Sequence, residues 1–276
     1  VGTFSVADFL LPEGFSAPGR VAVLREATVV TEAGRLVLTR LGKVGGRHTP
    51  YADRAAGRDA DPVVLVPGFM AGDGSLTMMA RALRDQGHRT YRSHIRANVG
   101  CTLQAAAQLE SRLESVASRR GRRVQIVGHS LGGMLARGLA VRRPDLVAGI
   151  VTLGSPMLAP AAHHVSLARS LEALVRLSRA GVPGLMSLDC VAGECARTSF
   201  DECRGPVPPE VAFTAIYSRR DGIVDWRACI DPLAVAVEVR SSHVGMAVDP
   251  SVIAAVTASL ARHRASAVAA GRGQTA

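Results

Sequence analysis

The chain has 276 residues of which 47% are hydrophobic, enough to bury one sizeable core in a single domain, and its 4% aromatic content leaves Val, Leu, Ile, Ala and Met to fill it. The formal net charge of +10 rests on arginines scattered through every segment, with Lys43 the single lysine and no interleaved aromatics, which argues against a nucleic-acid surface built on stacking. No apolar run reaches transmembrane length and the first residues lack the basic and apolar regions of a secretory signal. A cytoplasmic protein is therefore the expectation, with the cell envelope or export as the alternative if the true start lies elsewhere.

Residues 1–60 form an N-terminal segment with one helix candidate, in which Val30, Ala33, Val37, Leu38 and Leu41 share a face and Arg35, Arg40 and Lys43 lie elsewhere. Docking on the core is expected of it, contact with a lipid surface being the alternative. "PVVLVPGF" reads as a buried strand ending in a tight turn. A helix from about Ser75 to Gln86, a strand from Arg89 to His94 and a helix from Leu103 to Arg119 follow; in the last, Ala106, Leu109, Leu113 and Val116 make an apolar stripe. Strand "RVQIVG", helix "LGGMLARGLAVRR" stopped by Pro144, and strands "AGIVTLGSP", "AFTAIYS" and "AVAVEVRSS" continue the alternation, before a final helix from Pro250 and a tail, 265–276, expected to be disordered. Strands alternating with helices predict βαβ units, a mostly parallel sheet of about six strands with helices on both faces, and ligands at the carboxyl ends of the strands.

The turn after "RVQIV" is "GHSLGG", where Gly128, Ser130 and Gly132 fit G-x-S-x-G between a predicted strand and a predicted helix. A sharp turn there strains the central residue, and glycines two positions to either side remove the Cβ atoms that would clash. Ser130 would then stand above the sheet at a helix N-terminus; an ordinary Gly-rich N-cap is the plainer explanation of the motif taken alone. A serine nucleophile needs a base, and the base an orienting acid, in the chain order Ser, Asp or Glu, His. Asp221 follows the strand "AFTAIYS" and His243 follows "AVAVEVRSS". Asp225, a helical turn beyond Asp221, is the reserve acid and otherwise a partner for Arg227 or a cap for the segment from Trp226. His129 is expected to point away from Ser130 into a packing or hydrogen-bonding role. The amides of Leu131 and Phe69 are the expected oxyanion donors.

With "VPGF", "GHSLGG", "YSRRDGIV" and "SSHVGM" in this order, the chain resembles the α/β-hydrolase superfamily, and within it the small bacterial lipases and esterases, over residues 62 to about 262. The resemblance implies the α/β-hydrolase fold, a core of 61–156 and 211–264, a cap or lid at 157–210, and hydrolysis of carboxylic, lipid-type acyl esters through an acyl-enzyme without metal or organic cofactor. An acyltransferase, or a non-catalytic ligand-binding relative, is the alternative. Val224, three residues past Asp221, matches the family's apolar position after the acid. Where many relatives have His-Gly, this chain has Pro67-Gly68, which puts the support of that loop in question. The expected partner is a small-molecule ester or lipid, with no obligate protein partner evident.

In the insertion, a helix from Val165 to Arg179 carries Leu167, Leu171, Leu174 and Val175 on one side, suited equally to a lid over an acyl pocket or to packing on the sheet. The five cysteines are Cys101, Cys190, Cys195, Cys203 and Cys229. Cys190, Cys195 and Cys203 are candidates to staple the insertion by disulfides, with Cys229 a further partner; zinc held with His163 or His164 is the weaker alternative, because no C-x-x-C spacing is present.

Overall fold

The computed structural model describes residues 8–44 and 61–273. Six strands, β1 (Pro62–Val66), β2 (Arg89–Arg92), β3 (Val124–His129), β4 (Val147–Leu153), β5 (Ala212–Tyr217) and β6 (Val235–Glu238), form one sheet in the order β2-β1-β3-β4-β5-β6, every neighbouring pair parallel. β1 and β3 are buried along their whole length and β4 nearly so, as parallel strands covered on both faces must be. The edge strand β6 is largely exposed.

The helices are α1 (Val29–Val44), α2 (Thr77–Asp85), α3 (Thr102–Arg120), α4 (Leu131–Arg142), α5 (Val165–Arg179), α6 (Leu188–Ala192), α7 (Glu194–Arg204) and α8 (Pro250–Gly273). α3 and α4 cover one face, where Ala106, Leu109, Leu113 and Val116 pack with Leu135 and Leu139 against Val64, Ile126 and Ile150. α1, α2 and α8 cover the other through Leu36, Met79, Leu83, Val252 and Val256. Leu109 and Leu113 are fully buried, so truncating either to alanine costs about 2–5 kcal/mol. One charge pair enters this core: Arg137 Nε donates to Asp231 Oδ2 at 3.0 Å with both side chains buried, and the guanidinium lies over the Phe213 ring.

Three expectations change. β2 ends at Arg92 instead of His94, because the Asp73 carboxylate takes the Ser93 and His94 amides, each at 3.0 Å, out of the ladder. α1 docks through Glu32 and Leu36, leaving Val30 and Leu38 exposed; the buried polar contacts of Glu32 described below fix the rotation of the helix. The side chains of Arg40, Leu41 and Lys43 lie outside the described residues. α8 continues to Gly273, through most of the tail expected to be disordered, since alanine-rich "ASAVAA" readily propagates a helix already anchored by Val252, Ile253, Val256 and Leu260; residues 274–276 lie outside the description. Among the described residues no helix is long and apolar enough to cross a membrane.

Candidate active site

Ser130 sits between the end of β3 and the start of α4 with φ 51° and ψ −121°, one of three non-glycine residues with positive φ among those described. That strain persists because the surroundings permit no alternative. A Cβ on Gly128 would come within 2.5 Å of Gly132 O and Gly133 Cα, and one on Gly132 would collide with Val66 O, so both glycines are demanded by backbone packed on backbone. The Ser130 hydroxyl makes no hydrogen bond among the described residues and borders a cavity.

Asp221 and His243 come together at the carboxyl ends of β5 and β6. His243 Nδ1 meets Asp221 Oδ2 at 2.6 Å, and Asp221 Oδ1 accepts the amides of Ile223 and Val224, each at 2.8 Å. Both residues are buried. Burial depresses the imidazole's affinity for a proton, but the Asp221 carboxylate against it and the Glu26 charge prevail, so the His243 pKa is raised above 6.5. Gly154, at φ 55°, lets the end of β4 pass this pair: a Cβ there would lie 3.1 Å from His243 Nδ1 and 3.2 Å from Asp221 Oδ2. Asp225 is elsewhere. It accepts the Arg227 amide and guanidinium and the Ser16 amide, capping the short 3-10 helix Trp226–Cys229.

His129 points from the elbow toward the histidine loop. Its Nε2–H donates to His243 O at 2.9 Å, and the two rings are 4.9 Å apart. Burial, then the neighbouring His243, pushes its pKa down to about 4, so it remains a neutral donor while His243 titrates.

Phe69 and Leu131 border the cavity with Ser130. Among the described residues neither amide donates to a turn or loop carbonyl, whereas the next one, Met70, donates to Asn98 O at 3.0 Å. Buried Asn98 clamps this loop: its Nδ2 donates to Pro67 O at 3.0 Å and its amide to Ala71 O at 2.9 Å. The Pro67-Gly68 loop is thus held from the loop after β2. Sequence reading missed Asn98, which lies 31 residues from its partner with no motif around it.

Two carboxylates of the N-terminal segment were also missed. Glu26 accepts the amides of Gly222, His243 and Val244 at 2.8–3.0 Å. Glu32, buried on α1, accepts the Ser242 amide at 2.8 Å and the Ser242 hydroxyl at 2.7 Å. The acid and histidine turns are therefore held by a segment outside the expected core. Only the capacity of a carboxylate to accept several N–H groups marks these residues, and one sequence does not say which loop they reach.

The cavity, about 390 Å³, lies between the core and the insertion and is lined mostly by apolar side chains, among them Met134, Leu167, Leu171, Val175 and Met186. Of the two readings of α5, facing the cavity is the one the structure takes. All five cysteines are free thiols. Cys203 and Cys229 are buried, and the cysteine that approaches Cys190 and Cys195 is Cys101 of the core, so the expected staple within the insertion is corrected. His163 and His164 are not part of that cluster: their Nδ1 atoms meet the His164 carbonyl and the Ser166 hydroxyl, and His164 Nε2 meets Arg20 O.

Residues 102–181, which include the Ser130 elbow, match the family model of the PGAP1-like alpha/beta domain. Among solved structures, the mature lipase BlEst2 of Bacillus licheniformis superposes with a TM-score of 0.58 at 16% identity, covering 78% of this chain and 94% of its own. A structure from the metagenome-derived lipolytic enzymes LipS and LipT gives 0.52 at 17% identity over 74% and 93%. The monoacylglycerol lipase of Paleococcus ferrophilus gives 0.51 at 17% identity over 73% and 94%. With the six-stranded parallel sheet and the strained turn after its third strand, these likenesses establish that the chain has the α/β-hydrolase fold.

Proposed function

We propose that the protein is a serine hydrolase of carboxylic esters with an apolar acyl group. The observation that carries this reading is the 2.6 Å pair of His243 and Asp221, buried beside the elbow that holds Ser130 at φ 51°. Ser130 Oγ attacks the ester carbonyl as His243 Nε2 takes its proton, and the resulting oxyanion is received by the amides of Phe69 and Leu131. Collapse breaks the C–O bond to the alcohol, which leaves with the proton from His243. Water, deprotonated by the same nitrogen, then attacks the acyl-enzyme and releases the acid. Asp221 keeps the proton on Nδ1 and stabilises the imidazolium. No metal or organic cofactor enters these steps.

The apolar lining of the cavity supports an acyl chain as its occupant, and its volume falls in the range of about 300–1,000 Å³ usual for small-molecule sites. Val21, Leu24, Val30 and Leu38, exposed on the N-terminal segment, support contact with a lipid interface. The test is a series of p-nitrophenyl esters from butyrate to palmitate, hydrolysed by the protein and by Ser130→Ala. Turnover that the substitution reduces by about 10⁶-fold, with longer chains preferred, is expected. Equal rates in the two proteins would contradict the reading.

A further inference from the structure

Three thiols meet where the cap joins the core. Cys101 is the N-cap of α3, Cys190 lies on α6 and Cys195 in the first turn of α7. Cys101 and Cys195 sulfurs are 3.4 Å apart, and all three lie within 4.8 Å of one another. The junction of α6 and α7 is built to bring two of them together: Gly193 donates to Asp189 O and the Glu194 amide to Asp189 Oδ1 at 2.9 Å, turning the chain so that both cysteines face Cys101. A disulfide would use two of these sulfurs and leave the third unexplained. A single metal ion uses all three.

We propose that Cys101, Cys190 and Cys195 bind one thiophilic cation of the Zn²⁺ class, which staples the cap to the core. Zn–S bonds of about 2.3 Å in a tetrahedron place sulfurs roughly 3.8 Å apart, inside the range observed, and water completes the fourth position. Binding forms three metal–sulfur bonds and releases the protons of the thiols to solvent, with no change of oxidation state. The Ser187 hydroxyl, 3.3 Å from Cys190 Sγ, is placed to donate to that sulfur once it is ionised. Thr102, Cys190, Val191 and Ala196 all border the cavity, so the ion would fix the cavity wall without touching the Ser130 chemistry. The site stands independently of the ester-hydrolase reading.

The reduced full chain is titrated with Cd²⁺ without oxygen, following the thiolate-to-metal charge-transfer absorption, and then challenged with Zn²⁺. Saturation at one ion per chain and displacement by Zn²⁺ are expected. Cys101→Ser, Cys190→Ser and Cys195→Ser should each weaken binding about tenfold or more, while Cys203→Ser and Cys229→Ser leave it unchanged. Alkylation mapped by mass spectrometry supplies a readout on the unsubstituted chain: Zn²⁺ should protect Cys101, Cys190 and Cys195 together. Absence of saturable binding, alkylation indifferent to Zn²⁺, or a Cys101–Cys195 disulfide that forms as fast in excess Zn²⁺ as without it would overturn the proposal.

Discussion

Replacing Asp221 by asparagine keeps the volume of the side chain and removes its charge. In the parent, His243 Nδ1 lies 2.6 Å from the carboxylate; unit charges about 4 Å apart, taking the centres of the two groups, interact by about 4 kcal/mol at an effective dielectric constant of 20. That energy is gained as the imidazolium forms, so its loss slows turnover by about 10³-fold, and an amide that can present N–H to Nδ1 adds the wrong tautomer, which takes the loss toward about 10⁴-fold. Asp225→Asn loses the Arg227 guanidinium pair, half of it exposed, and part of a cap; about 1 kcal/mol of stability and less than threefold in rate follow. Initial rates on one p-nitrophenyl ester across pH measure both. Burial, opposed only by the Glu26 charge, would then govern His243 in Asp221→Asn, so the acidic limb of its residual activity should move to lower pH. A fall within tenfold for Asp221→Asn, or an equal fall for Asp225→Asn, would refute the assignment of the acid.

Glu26→Gln leaves one oxygen for three amides; kcat should fall about tenfold to a hundredfold with KM little changed, and the pKa of His243 read from the pH profile should drop. His129, and His263 buried on α8 between the Thr214 hydroxyl and the Gln125 side chain, are held neutral down to about pH 4, so the unfolded chain binds more protons below 6.5 and stability falls as pH drops from 6.5 to about 4, by about 3 kcal/mol for each. His243, with its raised pKa, acts in the opposite sense: its stabilisation is full below 6.5 and is lost as pH rises through the raised value. Thermal midpoints at pH 7 and pH 4.5 should show the net fall, and His263→Gln should lessen it; a flat profile would contradict the burial argument. Asp231→Asn strands the Arg137 charge in the core and should cost about 3–5 kcal/mol in denaturant unfolding, much of it recovered by adding Arg137→Met.

The parallel sheet and its helices were legible because periodicity and punctuation agree there: Ala106, Leu109, Leu113 and Val116 are all buried, and Pro144 follows the end of α4 within two residues. The elbow was legible because a six-residue pattern encodes its own backbone geometry. The meeting of Asp221 with His243 was open to inference because each follows a strand, and strand ends converge on one edge of the sheet. Glu26, Glu32 and Asn98 reach their partners across 31 to more than 200 residues, and no local pattern carries that distance. The cysteines failed for the same reason, since Cys101 is 94 residues from Cys195 and spacing within the insertion pointed to Cys203 instead.

The most direct test of the account is to treat the protein with a p-nitrophenyl alkylphosphonate and locate the adduct by mass spectrometry. One alkylphosphonyl group per chain, on the oxygen of Ser130 and absent after His243→Ala, is the result the account predicts. No adduct, or one on a residue other than Ser130, would contradict it.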